Sequence, residues 1–335
     1  MKVFKLFLKI LIEKIWYSKN FISFLLLPLS WIYIFFVELR LKLYQFGIFP
    51  INKSYAPTII VGNMVAGGTG KTPLVIWLAC YYKEQGFFPG VISKGYKGRY
   101  TTNTQFVDSN TDPILVGDEP VLIAKRTKCP VLVGNKRSTA AKEIVEKYKC
   151  NLIISDDGLQ HYSLARNIEI AVIDGQRRLG NGFCIPAGPL RELKSRLDSV
   201  DLVVGKYLAK KSEYKMEYIY NDLVSLNNPK DKMPITDLDS KKIHVVSGIS
   251  NPQSFYSYLR SQNYELLIHE YPDHHIYNEN DLEFDDDFPV VMTEKDAVKC
   301  FKYSNERYWY LPISAKLSER FTLDLNELLE RNKYG

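Results

Sequence analysis

A glycine-rich segment that ends in Lys71 and Thr72 has the residue types and spacing needed to bind phosphate groups. Glycines let a loop curl so that backbone N–H groups point at phosphate oxygens, Lys71 reaches those oxygens, and the Thr72 hydroxyl is a ligand for Mg²⁺. The apolar residues 58–62 precede the segment and a helical pattern follows it. This order predicts a nucleotide-binding loop, which consists of Val65, Ala66, Gly67, Gly68, Thr69, Gly70, Lys71 and Thr72.

Val65 departs from the standard pattern of such loops, G-x-x-x-x-G-K-[ST], which has glycine at this position. Gly67 and Gly68 nevertheless lie inside the loop. A glycine-rich turn that caps a helix by chance is the alternative, but the strand before the loop and the helix after it favour phosphate binding.

Two adjacent carboxylates, Asp156 and Asp157, directly follow the apolar residues 152–155. Carboxylates at the end of a buried parallel strand beside a phosphate-binding loop are typical of groups that hold or orient Mg²⁺. Alone, the pair would be read as a turn at the end of a strand. Together with the loop at 65–72, it predicts a metal site.

Two further groups contain acids, and the second of them also contains histidines. Asp118 and Glu119 open a helical pattern, where Asp118 is also a good capping residue with Pro120 in the first turn. Asp273 precedes two adjacent histidines, His274 and His275, in a chain with only five histidines. Histidines are more often structural than catalytic, so the residues alone do not decide whether this second group has a catalytic role.

The N-terminus predicts contact with a membrane. Its first twenty residues contain one acid, Glu13, and five lysines interleaved with apolar residues: Lys2, Lys5, Lys9, Lys14 and Lys19. This is the pattern of a basic amphipathic helix on anionic lipid. The uncharged run at 21–37 contains Pro28 and has 17 residues, short of the roughly 20 that a simple span needs. A crossing would also place the lysines outside, so we expect insertion into the cytoplasmic leaflet, with a buried core helix as the alternative.

Composition and cysteines indicate a folded cytosolic chain. Of 335 residues, 46% are hydrophobic and 24% charged, which is enough for one large core or two smaller ones and argues against disorder. The five cysteines are widely spaced and form no C-x-x-C pair, so neither a disulfide framework nor a cysteine metal site is expected. The net charge of +6 is modest, and we expect no nucleic acid partner; protein partners are not predicted.

Apolar runs alternate with helical patterns from residue 58 onward, which predicts an α/β fold with a doubly wound, mostly parallel sheet like that of P-loop nucleotide-binding proteins. A polar, tyrosine-rich stretch at 206–240 precedes a second, smaller α/β lobe, whose last element is expected to be an amphipathic helix at 322–331. The expected organisation is a membrane-associated helical segment at 1–50, a phosphate-binding core at 51–205, a linker or two-strand connection at 206–240, and the second lobe at 241–335.

Read together, these pieces resemble one family over nearly the whole chain: the tetraacyldisaccharide 4′-kinases of lipid A biosynthesis. The resemblance is carried by Gly67-Gly68-Thr69-Gly70-Lys71-Thr72-Pro73, Ser93-Lys94-Gly95-Tyr96, Gly117-Asp118-Glu119-Pro120, Asp156-Asp157-Gly158-Leu159-Gln160-His161, Pro186-Ala187-Gly188-Pro189-Leu190-Arg191-Glu192, Asp273-His274 and Thr293-Glu294-Lys295-Asp296. Where the family usually has Ser-Arg-Gly-Tyr, this chain has Lys94, whose ammonium cannot make the bidentate contacts of a guanidinium.

The resemblance implies a kinase that uses ATP and Mg²⁺ to phosphorylate the 4′-hydroxyl of a disaccharide glycolipid at the cytoplasmic face of the inner membrane. Carried over to this chain, Asp118 is the general base with His274 as its partner, and Lys71 acts on the phosphates. The implied metal set is Thr72, Asp156, Asp157 and Gln160, and the implied substrate- or phosphate-positioning residues are Glu119, His161, Arg191 and Lys94.

The main alternative is a membrane-bound P-loop ATPase or GTPase that acts as a switch. A GTPase reads guanine through Asn-Lys-x-Asp, whereas residues 135–138 lack the acid and residues 293–296 lack the asparagine. Residues 156–158 also do not give the Asp-x-x-Gly spacing. A membrane adaptor without enzymatic activity would leave the glycine-rich loop unexplained.

Overall fold

The computed structural model describes residues 11–53, 56–95, 98, 103–303 and 305–332. Lys2, Lys5 and Lys9 of the predicted basic helix, and Tyr96, lie outside this part. The chain forms two units: unit 1 within residues 1–71, 151–217 and 317–335, and unit 2 within residues 72–150 and 218–316. The domain boundaries predicted at 50, 205 and 240 stay a prediction.

The strands of the described residues are β1 (Thr58–Gly62), β2 (Pro89–Ser93), β3 (Thr104–Val107), β4 (Val131–Gly134), β5 (Leu152–Asp156), β6 (Ile168–Asp174), β7 (Leu202–Lys206), β8 (Tyr214–Tyr220), β9 (Leu223–Ser225), β10 (Lys232–Met233), β11 (Lys242–Ser247), β12 (Glu265–Glu270), β13 (Val290–Thr293), β14 (Tyr308–Leu311) and β15 (Ile313–Lys316). The helices are α1 (Phe21–Leu25), α2 (Leu27–Gln45), α3 (Lys71–Glu84), α4 (Pro113–Val116), α5 (Asp118–Thr127), α6 (Arg137–Glu146), α7 (Gln253–Ser261), α8 (Glu294–Cys300) and α9 (Glu319–Arg331), and residues 11–17 are also helical.

The sheet of unit 1 is parallel and buried. Its strands lie in the order β8, β7, β6, β1, β5, and Val61 of the central strand is opposite Asp156 on one side and Ile170 on the other. Every residue of β1, β5 and β6 is buried, as expected of parallel strands covered on both faces. The predicted α/β class and mostly parallel sheet are confirmed, and β1 and β5 agree within one residue with the apolar runs at 58–62 and 152–155.

Unit 2 contains a six-stranded sheet in the order β10, β9, β14, β13, β11, β12, in which β11 to β14 are parallel and β9 and β10 antiparallel. It also contains β2, β4 and β3, with β3 antiparallel to β4. The stretch 206–240, predicted as a linker or two-strand connection, holds three strands, β8 to β10. Only Met216 of β8 is buried, so this strand has no continuous apolar run and was missed, although its tyrosines favour strands.

Helix α2 packs one side against the rest of unit 1 and exposes the other side to solvent. Ser30 donates to the Cys184 carbonyl at 2.8 Å, and the Tyr33 hydroxyl donates to the Arg191 carbonyl at 2.8 Å. Pro28 lies in the first turn of α2, where its missing N–H breaks no helical hydrogen bond. Among the described residues, no helix has both the length and the apolar character needed to cross a membrane.

Helix α9 belongs to unit 1, whereas the sequence placed it at the end of the second lobe. Phe321 is fully buried and meets the Tyr214 ring edge-on, with centroids 5.4 Å apart. Asn167 and Asn332 each donate a side-chain hydrogen bond to the other's carbonyl oxygen, at 3.1 and 2.8 Å. An amphipathic pattern identifies the apolar face of a helix but not the surface that the face will cover, so the sequence alone could not show that α9 packs on β8.

We predict that Phe321→Ala lowers the free energy of unfolding by about 3–5 kcal/mol, because it leaves a cavity between α9 and β8. The matched control is Leu323→Ala on the same helix, at a side chain that is 69% exposed, which should change stability by less than about 0.5 kcal/mol. Urea titration followed by circular dichroism measures both. Equal losses for the two variants would contradict the packing described for α9.

Candidate active site

Two hydrogen bonds hold the glycine-rich loop between β1 and α3 in place, one from Asn63 and one to Pro189. Asn63 donates from Nδ2 to the Gly67 carbonyl at 3.1 Å, and the Ala66 N–H donates to the Pro189 carbonyl at 2.8 Å. Gly67 and Gly70 have φ of 111° and 83°, a region that side chains with a Cβ avoid. These two positions therefore require the glycines that the sequence supplies.

Val65, which departs from the standard pattern, faces the protein interior. Its side chain is 5% exposed and packs in an apolar cluster with Met64, Cys184 and Leu190. Val65 also forms an isolated antiparallel bridge with Leu190. The residue thus anchors the start of the loop through its side chain, and any contribution to a nucleotide would come from its backbone.

The loop offers polar groups suited to phosphate oxygens. Thr69 is 2% exposed, and its Oγ1 has no hydrogen-bond partner within the part of the chain that the structure describes. A buried hydroxyl without a partner is costly, so an acceptor oxygen from a ligand would stabilise it. Gly67 and Gly68 are exposed, and the Lys71 ammonium lies at the loop's end. These features fit the phosphates of a nucleotide.

Asp157 faces two cations. Lys71 Nζ lies 3.3 Å from its Oδ1, and Arg191 Nη1 lies 3.1 and 3.2 Å from its two oxygens. Burial opposes ionisation, but the charges of Lys71 and Arg191 outweigh it and hold the pKa of Asp157 well below its usual range. Asp156, the last residue of β5, is 1% exposed. The structure therefore brings together Lys71, Asp157 and Arg191, all of which the sequence had singled out.

The turn after the acid pair is sterically fixed at Gly158. A Cβ at this position would lie 2.6 Å from Ser155 Oγ and 2.9 Å from Ile60 Cγ2, too close for any other residue without a shift of β1 or β5. Asp157 itself has φ of 51°, a left-handed conformation that aspartate tolerates better than most residues. This tight turn aims Asp157 at Lys71.

A second polar layer supports Arg191. Gln160 accepts from Arg191 Nη1 at 3.2 Å through Oε1 and donates through Nε2 to Glu192 Oε2 at 3.0 Å. Glu192 is 3% exposed and also accepts from the Tyr162 hydroxyl. The roles of Glu192 and Tyr162 were not predicted, although Glu192 belongs to a string that carried the resemblance. His161 follows Gln160 in this turn, and its carbonyl oxygen accepts from Arg166.

In unit 2, Asp118 and His274 form a direct pair. His274 Nδ1 lies 2.9 Å from both carboxylate oxygens of Asp118, which is 4% exposed. Gly117, with φ of 92°, takes the capping position of α5, so Asp118 is the first helical residue and not the cap considered above. Its Oδ1 accepts from the Glu119 N–H at 2.9 Å. His274 has φ of 62°, a strained conformation that turns its ring toward the acid.

Two lysines of α8 neutralise this acidic cluster. Lys295 Nζ lies 3.0 Å from Glu119 Oε1 and 3.2 Å from Asp273 Oδ1, and Lys299 Nζ lies 3.8 Å from Asp118 Oδ2. Burial opposes ionisation of Asp118, but Lys295, His274 and Lys299 outweigh it, and its pKa lies well below its usual range. The same acids raise the pKa of Lys295 against the effect of its own burial. Sequence reasoning assigned these lysines no role, although Lys295 belongs to a string that carried the resemblance.

The two groups of residues have complementary chemical capacities. Unit 1 supplies a phosphate-binding loop whose lysine lies beside an ionised carboxylate, and unit 2 supplies a buried, ionised carboxylate with a histidine partner. Lys94, exposed directly after β2, has no assigned role in either group. Transfer of a phosphoryl group to an alcohol requires positioning, charge neutralisation and an acceptor for one proton, and each of these capacities is present in one group or the other.

Comparison with known proteins identifies the family. The model of the tetraacyldisaccharide-1-P 4′-kinase family matches residues 22–330. The chain belongs to this family. The tetraacyldisaccharide 4′-kinases of Methylobacillus flagellatus and Nitrosococcus oceani are each 44% identical to it, with 96% of this chain and 97% and 95% of theirs covered. The crystal structure of the "apo" form of LpxK from Aquifex aeolicus in complex with ATP has a TM-score of 0.77 at 27% identity and covers 92% of this chain and 99% of that one.

Membership of the tetraacyldisaccharide 4′-kinase family confirms the resemblance inferred from the sequence strings. It also confirms the predicted class of enzyme, a phosphotransferase with an alcohol acceptor, over the ATPase or GTPase switch. The roles of the individual site residues, the metal and the membrane contact stay predictions.

We predict that Val65→Gly, which would restore the standard loop pattern, destabilises this kinase by about 2–4 kcal/mol, because it removes a buried side chain and adds backbone freedom. Ala66→Gly is the matched control at the neighbouring, less buried position, and should cost less than about 1 kcal/mol. Urea titration gives both free energies of unfolding. If Val65→Gly were as stable as the wild type, Val65 would not anchor the loop.

Proposed function

We propose that this chain transfers the γ-phosphate of ATP to the 4′-hydroxyl of a tetraacyldisaccharide 1-phosphate. Family membership supports the reaction, and one observation carries the proposal in this chain. Asp118 is a buried carboxylate that neighbouring cations keep ionised, and it lies 2.9 Å from His274. A carboxylate in this state is able to take the proton of an attacking hydroxyl.

Asp118 acts as the general base of the proposed reaction. Its Oδ1 accepts from the Glu119 N–H as well as facing His274, so Oδ2 has one hydrogen bond fewer and is the oxygen that we propose receives the proton. A carboxylate with a depressed pKa is a weak base and takes the proton only late, as the bond to phosphorus forms. That timing suits phosphoryl transfer, whose transition state is loose. His274 orients the carboxylate through Nδ1.

The loop at 65–72 holds the ATP phosphates in this proposal, with Lys71 at the β- and γ-phosphate oxygens. The exposed glycines and the unpartnered Thr69 hydroxyl fit that role. Arg191, which already pairs with Asp157, places a second positive charge beside Lys71. Binding therefore rests on backbone amides and two cations.

Mg²⁺ fits the donors near Lys71. The oxygens of Thr72, Asp156, Asp157 and Gln160 are the hard ligands that this ion prefers. No group of three or more His, Cys, Asp or Glu side chains able to hold a metal occurs among the described residues, and Mg²⁺ is commonly held by one or two carboxylates together with substrate phosphates. When bound, the ion would neutralise charge on the phosphate oxygens.

In this proposal the N-terminal helices bind the cytoplasmic face of the inner membrane. Three aromatic side chains of α2, Trp31, Phe35 and Phe36, are 64%, 62% and 61% exposed. Exposed apolar surface of this kind on a helix flanked by basic residues is typical of helices that lie in a lipid interface. A lipid acceptor would be met at that surface.

Incubation with radiolabelled ATP and a tetraacyldisaccharide 1-phosphate in mixed micelles tests the function. We expect label in the lipid with ATP and much less with GTP. Reactions without lipid, and reactions without protein, are the controls. Nucleotide hydrolysis that is independent of lipid, with no labelled lipid, would instead support the switch.

We predict that Asp118→Asn lowers kcat by about 10²- to 10⁴-fold while the KM for ATP changes little, because the variant removes the base and keeps the loop. Lys71→Met should weaken both ATP binding and turnover. The matched control is Asp239→Asn at an exposed aspartate of the same unit, with wild-type kinetics. Near wild-type turnover of Asp118→Asn would show that Asp118 is not the base.

We predict that replacing Trp31, Phe35 and Phe36 by serine reduces sedimentation with phosphatidylglycerol vesicles by at least about tenfold, since each aromatic contributes to interfacial binding. These substitutions leave the Ser30 and Tyr33 contacts intact, unlike deletion of residues 1–43, which should also release the protein. The control replaces three exposed apolar residues elsewhere, Phe88, Leu208 and Leu323. Unchanged sedimentation of the α2 variant would exclude this membrane contact.

A further inference from the structure

A cavity of about 810 Å³ in unit 2 follows one face of helix α5. Gly117, Asp118, Val121, Lys125 and Lys128 lie along its wall, at the spacing of residues that share one side of a helix. His274 lies at the same end of the cavity as Asp118, its hydrogen-bonded partner. The proposed base therefore lies at one end of the cavity, and a group of lysines that the proposed reaction does not use lies at the other.

The lysine end of the cavity is positively charged. Lys125 and Lys128 come from α5 and its C-terminal cap, and Lys302 follows α8. None of the three forms an ion pair with a carboxylate among the residues that the structure describes. Asp112 also lines the cavity, and its side chain accepts from the Ile114 N–H. Three lysines and one aspartate give this end of the cavity a net positive charge, which favours binding of an anion.

Lys125 is the most constrained of these cations. Its ammonium lies 3.1 Å from the centroid of the Phe301 ring and 5.9 Å from that of Tyr310. Burial lowers its pKa to about 8; Glu294 opposes the shift and Lys128 adds to it. A partly desolvated ammonium held over an aromatic face is poised to gain from an incoming anion, which would replace lost hydration.

Distance along the helix suggests which anion this is. At a rise of about 1.5 Å per residue, Lys125 and Lys128 lie roughly 10 and 15 Å from Asp118 along the axis of α5. The acceptor of the proposed reaction has its reacting 4′-hydroxyl on one sugar and its 1-phosphate on the other, two pyranose rings away. A disaccharide with its hydroxyl at Asp118 would thus reach the lysines with its phosphate.

We propose that Lys125, Lys128 and Lys302 bind the 1-phosphate of the acceptor while Asp118 holds its 4′-hydroxyl. This inference rests on the proposed function and adds a specificity site to it. The walls between the two ends are partly apolar, with Val121, Ile276 and Val298, and suit the faces of sugar rings. The lysines would select acceptors that carry an anion at the far end.

The test compares acceptors with and without the 1-phosphate, using the full chain and lysine-to-methionine variants that keep most of the side-chain stem. For Lys125→Met and for the double variant K128M/K302M, we expect kcat/KM for the phosphorylated acceptor to fall about tenfold or more, mainly through KM. For the dephosphorylated acceptor, which the wild type should use poorly, the variants should match the wild type. KM for ATP should not change.

The control is Lys142→Met, at a 59% exposed lysine on α6 of the same unit, which should behave as wild type with both acceptors. Lys128 and Lys302 are exposed, so K128M/K302M keeps the test valid if Lys125→Met does not fold. Equal losses on both acceptors, no loss, or a raised KM for ATP would each overturn the inference. Failure of the wild type to phosphorylate either acceptor would overturn the proposed function itself.

Discussion

The buried carboxylate of Asp118 is the constraint on which the arrangement of unit 2 depends. An ion taken out of water loses several kcal/mol of solvation unless charges and hydrogen bonds of the protein replace it. His274 supplies the hydrogen bond, and Lys299 and Lys295 supply the charge. Removing either lysine would leave an uncompensated negative charge in the interior, so the lysines are as necessary to an ionised Asp118 as the histidine is.

The lysines are themselves fixed by further acids. Lys295 lies between Glu119 and Asp273, and Lys299 lies between Asp118 and Asp296. Charges of opposite sign therefore alternate through the interior, and each ion pair is held in place by the next. This alternation gives Asp118 a fixed position and keeps it ionised before the reaction, which a group that is to receive a proton requires.

The first turn of α8 connects this network of charges to the rest of unit 2. Thr293 caps α8 by accepting from the Asp296 N–H, and Glu294 pairs with Arg126 of α5 at 2.8 Å. Asp296, fully buried, accepts from the Gly248 N–H at 2.9 Å. Lys295 lies between these two acids and points to Glu119. Residues 293–296 thus join α5, α8 and the residue that follows β11 around the proposed base.

The sequence predicted the parts of the site that are local. The loop at 65–72 follows from consecutive residues, and the acid pair at 156–157 follows from the strand before it. Contacts between segments that are far apart in the chain were harder to predict from the sequence. The burial of Val65 depends on Leu190, more than a hundred residues away, and nothing near Lys295 in the chain indicates that its ammonium meets Glu119. Pairing of Asp118 with His274 was expected only through the family resemblance, and the structure brings the two side chains together.

The two ionised aspartates differ in a way that suits different tasks. Asp157 is 38% exposed, so its charge can be approached by a soluble ion or phosphate, and it faces two long cationic side chains, Lys71 and Arg191. Asp118 is 4% exposed, and its charge faces His274 and the two lysines of α8. A ligand for nucleotide and metal has to exchange partners at each turnover, whereas a base that takes one proton has to keep its position and exclude water. The burial of each carboxylate thus follows the chemistry proposed for it.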